Sequence, residues 1–144
     1  MRVSDLIGSR KEVFSIPDTL SVLEAAKYLR EKQVRSVAIL DGGGNLAGVV
    51  SQSDISDKVA AENKCPAWMR VSEIMSTGLL TVSPEASFEE SLRLMEQNGV
   101  YHLLIVGEGK RYLGMLSVSD LLQVMASDAK ARADLLESYI YPDR

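Results

Sequence analysis

Apolar positions along this chain follow two rhythms, one for helix and one for strand, and the succession of rhythms runs twice. Val13–Ile16 reads as a short extended piece. Val22, Ala26 and Leu29 then recur at helical spacing, so a helix opening at Ser21 has one apolar face. Two apolar runs of strand length follow, Val37–Leu40 and Leu46–Val50, separated by the turn Asp41-Gly-Gly-Gly-Asn45. A second helix is expected to start near Ser53. The same order then returns: Leu79–Val82, a helix with Phe88, Leu92 and Met95 on one face, strands Leu103–Val106 and Tyr112–Leu116, and a helix from near Ser119.

Sliding the chain by 66 residues lays Val13–Ala60 onto Leu79–Ala126 without gaps. Identical pairs include Ser21/Ser87, Glu24/Glu90, Val34/Val100, Ile39/Ile105, Gly48/Gly114, Ser51/Ser117, Ser53/Ser119 and Asp54/Asp120. Upstream, Val3-Ser-Asp-Leu-Ile echoes Val71-Ser-Glu-Ile-Met. This is a tandem duplication. Both copies open the first helix with Ser-x-x-Glu, the pattern of a capping box.

Each unit therefore reads β-α-β-β-α, an α/β (α+β) architecture. A unit of about 60 residues is near the lower limit for folding alone. The two are expected to share a core about a pseudo-two-fold axis. The expected organisation is a first repeat over 1–61, a linker over 62–70, a second repeat over 71–127 and a helical tail over 128–144. Pro66 breaks any helix in the linker, and Trp68 is expected to anchor it on the core. Leu135, Leu136, Tyr139 and Ile140 offer an apolar face in the tail.

Composition narrows the possible functions. The chain has 144 residues, 46% of them hydrophobic and 25% charged, which suits a packed core. A formal net charge of −4 with no basic run argues against gripping nucleic acid or an anionic membrane. No apolar run approaches the roughly 20 residues of a membrane span. The first residues lack the apolar core of a signal peptide, so a cytoplasmic protein is expected. One cysteine, Cys65, and one histidine, His102, are too few for a Cys/His metal centre, and no metal site is expected. No set of nucleophile, base and orienting group is visible, so no catalytic residues are assigned and the chain is read as not an enzyme. The glycine turn after Asp41 lacks the Lys-Ser/Thr of a phosphate loop and is read as a hairpin turn.

The chemistry sits where a strand hands over to a helix: Gly48-Val-Val-Ser-Gln-Ser-Asp-Ile and Gly114-Met-Leu-Ser-Val-Ser-Asp-Leu. A carboxylate can accept hydrogen bonds from both hydroxyls of a ribose diol. Serine hydroxyls and the free N–H groups of a helix start favour a phosphate. Serine and aspartate there also cap the helix whether or not anything binds.

Two β-α-β-β-α units, each closing on Gly-φ-φ-Ser-x-Ser-Asp-φ (φ apolar), resemble a tandem pair of CBS domains, a Bateman module. The resemblance covers the chain from Val3 to about Ser127. It implies two clefts between the repeats that take adenosine-containing ligands such as AMP, ADP or ATP, sometimes S-adenosylmethionine or NAD. In one cleft it assigns Asp120, Ser117, Ser119 and His102 to the ribose and phosphate, and Val13, Val34 and Arg35 to the adenine wall. In the other it assigns Asp54, Ser51 and Ser53, with Leu79, Val100 and Tyr101 as the wall. The counterpart of His102 is the uncharged Ser36, so the Asp120 cleft is favoured for a phosphorylated ligand. Protonation of His102 is expected to strengthen phosphate binding. Ala38 and Leu104 stand where the family often has proline.

Two functions of different class follow. The first is a stand-alone regulatory sensor that binds an adenine nucleotide, with or without Mg²⁺, and signals to an unidentified protein partner through the geometry of a homodimer. The second is a dimeric scaffold of the same fold that binds no nucleotide.

Overall fold

The computed structural model describes residues 2–9 and 13–140, with side chains throughout except at 8, 9, 131, 132 and 134–140. A short helix α1 (Val3–Ser9) precedes the first repeat. That repeat contains β1 (Ser15–Pro17), α2 (Val22–Lys32), β2 (Ser36–Leu40), β3 (Leu46–Ser51) and α3 (Gln52–Ile55), which runs on into a π-helical turn over Ser56–Ala60. The second contains β4 (Thr81–Val82), α4 (Phe88–Asn98), β5 (His102–Val106), β6 (Tyr112–Ser117) and α5 (Val118–Ile140). The tail side chains Leu135, Leu136, Tyr139 and Ile140 lie outside the described residues.

Each repeat forms a three-stranded mixed sheet, ordered β1-β2-β3 and β4-β5-β6. The first pair of strands is parallel and the second antiparallel in both. The registers match residue for residue: Ser36 pairs with Ser51 as His102 pairs with Ser117. Asn45 and Arg111, equivalent positions of the two copies, form an antiparallel bridge with each other. A residue bridged to its own equivalent marks the pseudo-two-fold axis between the hairpin turns.

The first helix of each repeat is capped as its sequence indicates, but by half a box. The hydroxyls of Ser21 and Ser87 accept the N–H of Glu24 and Glu90, both at 3.1 Å. The Glu24 carboxylate accepts the Ser21 hydroxyl at 3.2 Å rather than the cap's own N–H. Backbone on both sides of Ser21 is bonded to the chain near residue 70: Val22 N–H donates to the Met69 carbonyl at 2.8 Å and Val71 N–H to the Leu20 carbonyl at 2.9 Å. Both helices end on a left-handed residue, Gln33 (φ 58°) and Gly99 (φ 62°).

There are two cores, and each contains a piece of the other repeat. Val3 is fully buried with Phe88, Met95, Leu103, Ile105, Leu116 and Leu121 of the second repeat. Its backbone is bonded there too, through Val3 N–H to the Ala86 carbonyl at 2.9 Å. Conversely Val71 and Ile74 are buried among Ile16, Val22, Leu29, Ile39 and Val50 of the first repeat. The two echoing segments, Val3-Ser-Asp-Leu-Ile and Val71-Ser-Glu-Ile-Met, thus trade places. The second of them crosses directly over Gly48, where an added Cβ would lie 2.6 Å from Met75 Sδ and 2.9 Å from the Ser76 carbonyl oxygen.

Trp68 does not anchor the linker. It ends a 3₁₀ turn, Pro66–Trp68, and is 87% exposed. The extended backbone of the next residue turns Met69 onto the first core instead.

Candidate functional site: two clefts between the repeats

The strand-to-helix junctions are closed by complete capping boxes. Ser117 caps α5: its hydroxyl accepts the Asp120 N–H, and its own N–H donates to Asp120 Oδ2, both at 3.1 Å. Ser51 and Asp54 do the same for α3, at 3.1 and 2.9 Å. The cap is thus the first serine of Ser-x-Ser-Asp, which holds the aspartate in a fixed rotamer beside the helix start. Ser53 and Ser119 fall in the first turn of their helices and are exposed.

Asp120 and Ser117 open into a cleft of about 450 Å³. Its walls come from both repeats. Val13, Phe14, Val34, Arg35, Ser36 and Val37 face His102, Tyr112, Met115, Ser117 and Asp120. Of the seven residues assigned to this cleft from sequence, the structure brings six together; Ser119 is not on its wall. Phe14, Tyr112 and Met115 were not foreseen. Phe14 is fixed edge-on against Tyr28, with ring centroids 6.4 Å apart, and Lys32 Nζ stands 5.6 and 5.8 Å from the two ring centres.

The second cleft has about the same volume, 460 Å³, but a different lining. It gathers Ser51, Leu79, Val100 and Tyr101 with Ser76, Gly78 and Leu80. Neither Asp54 nor Ser53 lines it. Lys58 Nζ lies 3.1 Å from Asp54 Oδ1 and donates at 3.0 Å to the Ile74 carbonyl, tying that carboxylate to its own helix and to the exchanged segment. In the second repeat the position of Lys58 is held by Val124. The described lining of the second cleft contains no lysine, arginine or carboxylate, whereas the first has Arg35 and Asp120. Ser36, His102 and Met115 line both clefts and form the partition between them. The Ser36 hydroxyl meets Met115 Sδ at 3.6 Å across the two repeats.

A model of the CBS domain family matches residues 3–61 and again 71–127. The chain belongs to the CBS domain family. Its fold is that of a CBS pair. A putative signal-transduction protein with CBS domains from Burkholderia ambifaria superposes with a TM-score of 0.77, at 25% identity over 89% of this chain and 96% of that one. The CBS domain pair of protein MJ0100, solved with 5′-methylthioadenosine and S-adenosyl-L-methionine, gives 0.75 at 23% identity, over 89% of this chain and 98% of that one. An uncharacterized protein of Methanopyrus kandleri is 28% identical over 116 residues, covering 81% of this chain and 59% of the relative. The chain spans between a quarter and three-fifths of the length of the first curated relatives it matches. CBS pairs are regulatory modules in general. Among the described residues no helix is long and apolar enough to cross a membrane.

Proposed function

We propose that this CBS pair is a non-catalytic regulatory module that binds an adenosine nucleotide of the AMP, ADP or ATP class in the Asp120 cleft. One observation carries the reading. Residues of both repeats converge on a cleft of about 450 Å³ with a carboxylate and a hydroxyl at a helix start and two basic side chains, Arg35 and His102. That volume falls in the range of small-molecule sites. In this reading Asp120 accepts from the ribose diol, and Ser117, Arg35 and His102 meet the phosphate. Val13, Val34 and Phe14 wall the base. Ser119, which is not on the wall of the cleft, has no contact in this reading. The second cleft, with Ser51, Leu79, Val100 and Tyr101, is the weaker site, because Asp54 is held by Lys58.

A ligand wedged between repeats would favour one relative orientation of the two cores, and that differential affinity is what a partner can read. Operation as a cytoplasmic homodimer, contacting an unidentified protein, belongs to the same proposal. A second reading, a dimeric scaffold without nucleotide, is favoured by the fact that Ser117 and Asp120 already satisfy each other as a capping box.

Thermal unfolding against AMP, ADP, ATP and S-adenosylmethionine, with and without Mg²⁺, separates the two. A ligand at a hundredfold excess over Kd adds about 2.7 kcal/mol to the folded state. That is a rise of about 5–10 °C for a domain of this size. The rise should vanish in Asp120→Ala and shrink in Asp120→Asn, which keeps an acceptor for Ser117. No shift with any of these ligands would overturn the nucleotide reading and favour the scaffold.

A further inference from the structure

We propose that His102 is shared between the two clefts, so that anionic nucleotides occupy them in competition. The proposal rests on the nucleotide reading and adds a rule of occupancy to it. Its basis is the partition. His102 and Ser36 are equivalent residues of the two copies, each the first residue of the middle strand of its sheet. Both line both clefts. Had each copy carried histidine there, each cleft would have its own imidazole. This chain has one histidine for two clefts.

The clefts do not depend on it equally. The Asp120 cleft has Arg35 as a second cation, while in the described lining of the other cleft His102 is the sole side chain that can carry positive charge. The position matching Arg35 is Tyr101, which is 74% exposed at the mouth of that second cleft. A phosphate in the Asp120 cleft draws the imidazole to its own side through a charge-assisted hydrogen bond. The second cleft is then left without a cation, and a second phosphate there finds no counter-charge. Removing the first ligand returns the imidazole. Coupling of this kind is reciprocal by linkage.

Isothermal titration with AMP tests it in three proteins: the wild type, Asp120→Asn and Ser36→His. In the wild type one AMP should bind per chain, with any second event at least tenfold weaker. In Asp120→Asn the first event is lost or weakened, and the remaining event should be tighter than the wild type's second, because His102 is released. In Ser36→His each cleft has an imidazole, and the second event should rise toward the affinity seen in Asp120→Asn. Two equal and independent events in the wild type would overturn the sharing while leaving the nucleotide reading in place. So would a second event equally weak in all three proteins, which would mean that the second cleft is weak in itself, and so would tightening in Asp120→Asn without tightening in Ser36→His, which would mean that repulsion between phosphates sets the order. No AMP binding in any protein would overturn the nucleotide reading and the sharing with it.

Discussion

Gly48→Ala is the sharpest test of the way the repeats interlock. A methyl group at residue 48 would lie 2.6 and 2.8 Å from Met75 Sδ and Cγ, and 2.9 Å from the Ser76 carbonyl oxygen. The thioether can swing aside, because methionine is flexible. The carbonyl cannot, because Ser76 is bonded to Val49 in both directions, at 2.8 and 3.0 Å. The crossing segment must therefore lift by several tenths of an ångström. Overpacking of this kind costs about 1–3 kcal/mol. Weakening two backbone hydrogen bonds adds about 0.5–1.5 kcal/mol each. A loss of about 2–6 kcal/mol is expected, or roughly 5–20 °C in Tm. Urea unfolding measures it, with Gly42→Ala as the control. Gly42 has nothing within 4 Å of its added Cβ, so that variant should stay within about 0.5 kcal/mol of the wild type. Because Val49 and Ser76 line the second cleft, Gly48→Ala should disturb binding there more than in the Asp120 cleft. A Gly48→Ala protein as stable as Gly42→Ala would refute the account of the crossing.

Further outcomes can be checked by the same unfolding assay. Gln33→Gly should raise stability by up to about 1 kcal/mol, because Gln33 sits at φ 58° where its counterpart is Gly99. Ser117→Ala and Ser51→Ala should each cost about 1 kcal/mol through loss of the cap. Lys58→Met should cost at most about 1 kcal/mol, since the lysine is half exposed and its ion pair is screened. Glu85 is held below the usual carboxylate range by the Ser83 hydroxyl and its own backbone N–H. A depressed pKa in the folded state stabilises above the unfolded value and is lost as pH falls through the folded one. Glu85→Gln should therefore be less stable than the wild type at neutral pH, and the gap should close in acid; a gap independent of pH would contradict this.

Much of the fold was legible because duplication doubles every signal. The strands and the helix starts at Ser21 and Ser87 follow from one pattern seen twice, and the matching registers are seen in the structure. Six residues of the Asp120 cleft were legible through family resemblance. What escaped notice was relational. Periodicity shows that Val3 and Val71 have apolar faces, but not which core each enters, so the exchange could not be read. The pairing of Asp54 with Lys58 did have a signal, opposite charges four residues apart on a helix. Phe14 had none, because its place depends on Tyr28 and Lys32 of α2 in the same repeat. The exposure of Trp68 has no sequence signal, because a single residue of extended backbone decides whether it or Met69 faces inward.

The exchange of Val3 and Val71 has a consequence for how the chain can be divided. A protein cut between residues 61 and 71 would give two pieces, each holding a plug made for its neighbour and a socket with nothing in it. Neither half should fold by itself, yet the two mixed should rebuild the whole, since every missing part is present in the other piece. Two identical first halves could also trade their α1 segments, because Val3 and Val71 are near copies. Seen this way, the duplication joined into one molecule two units that were incomplete until paired, and the linker fixes which pairs with which.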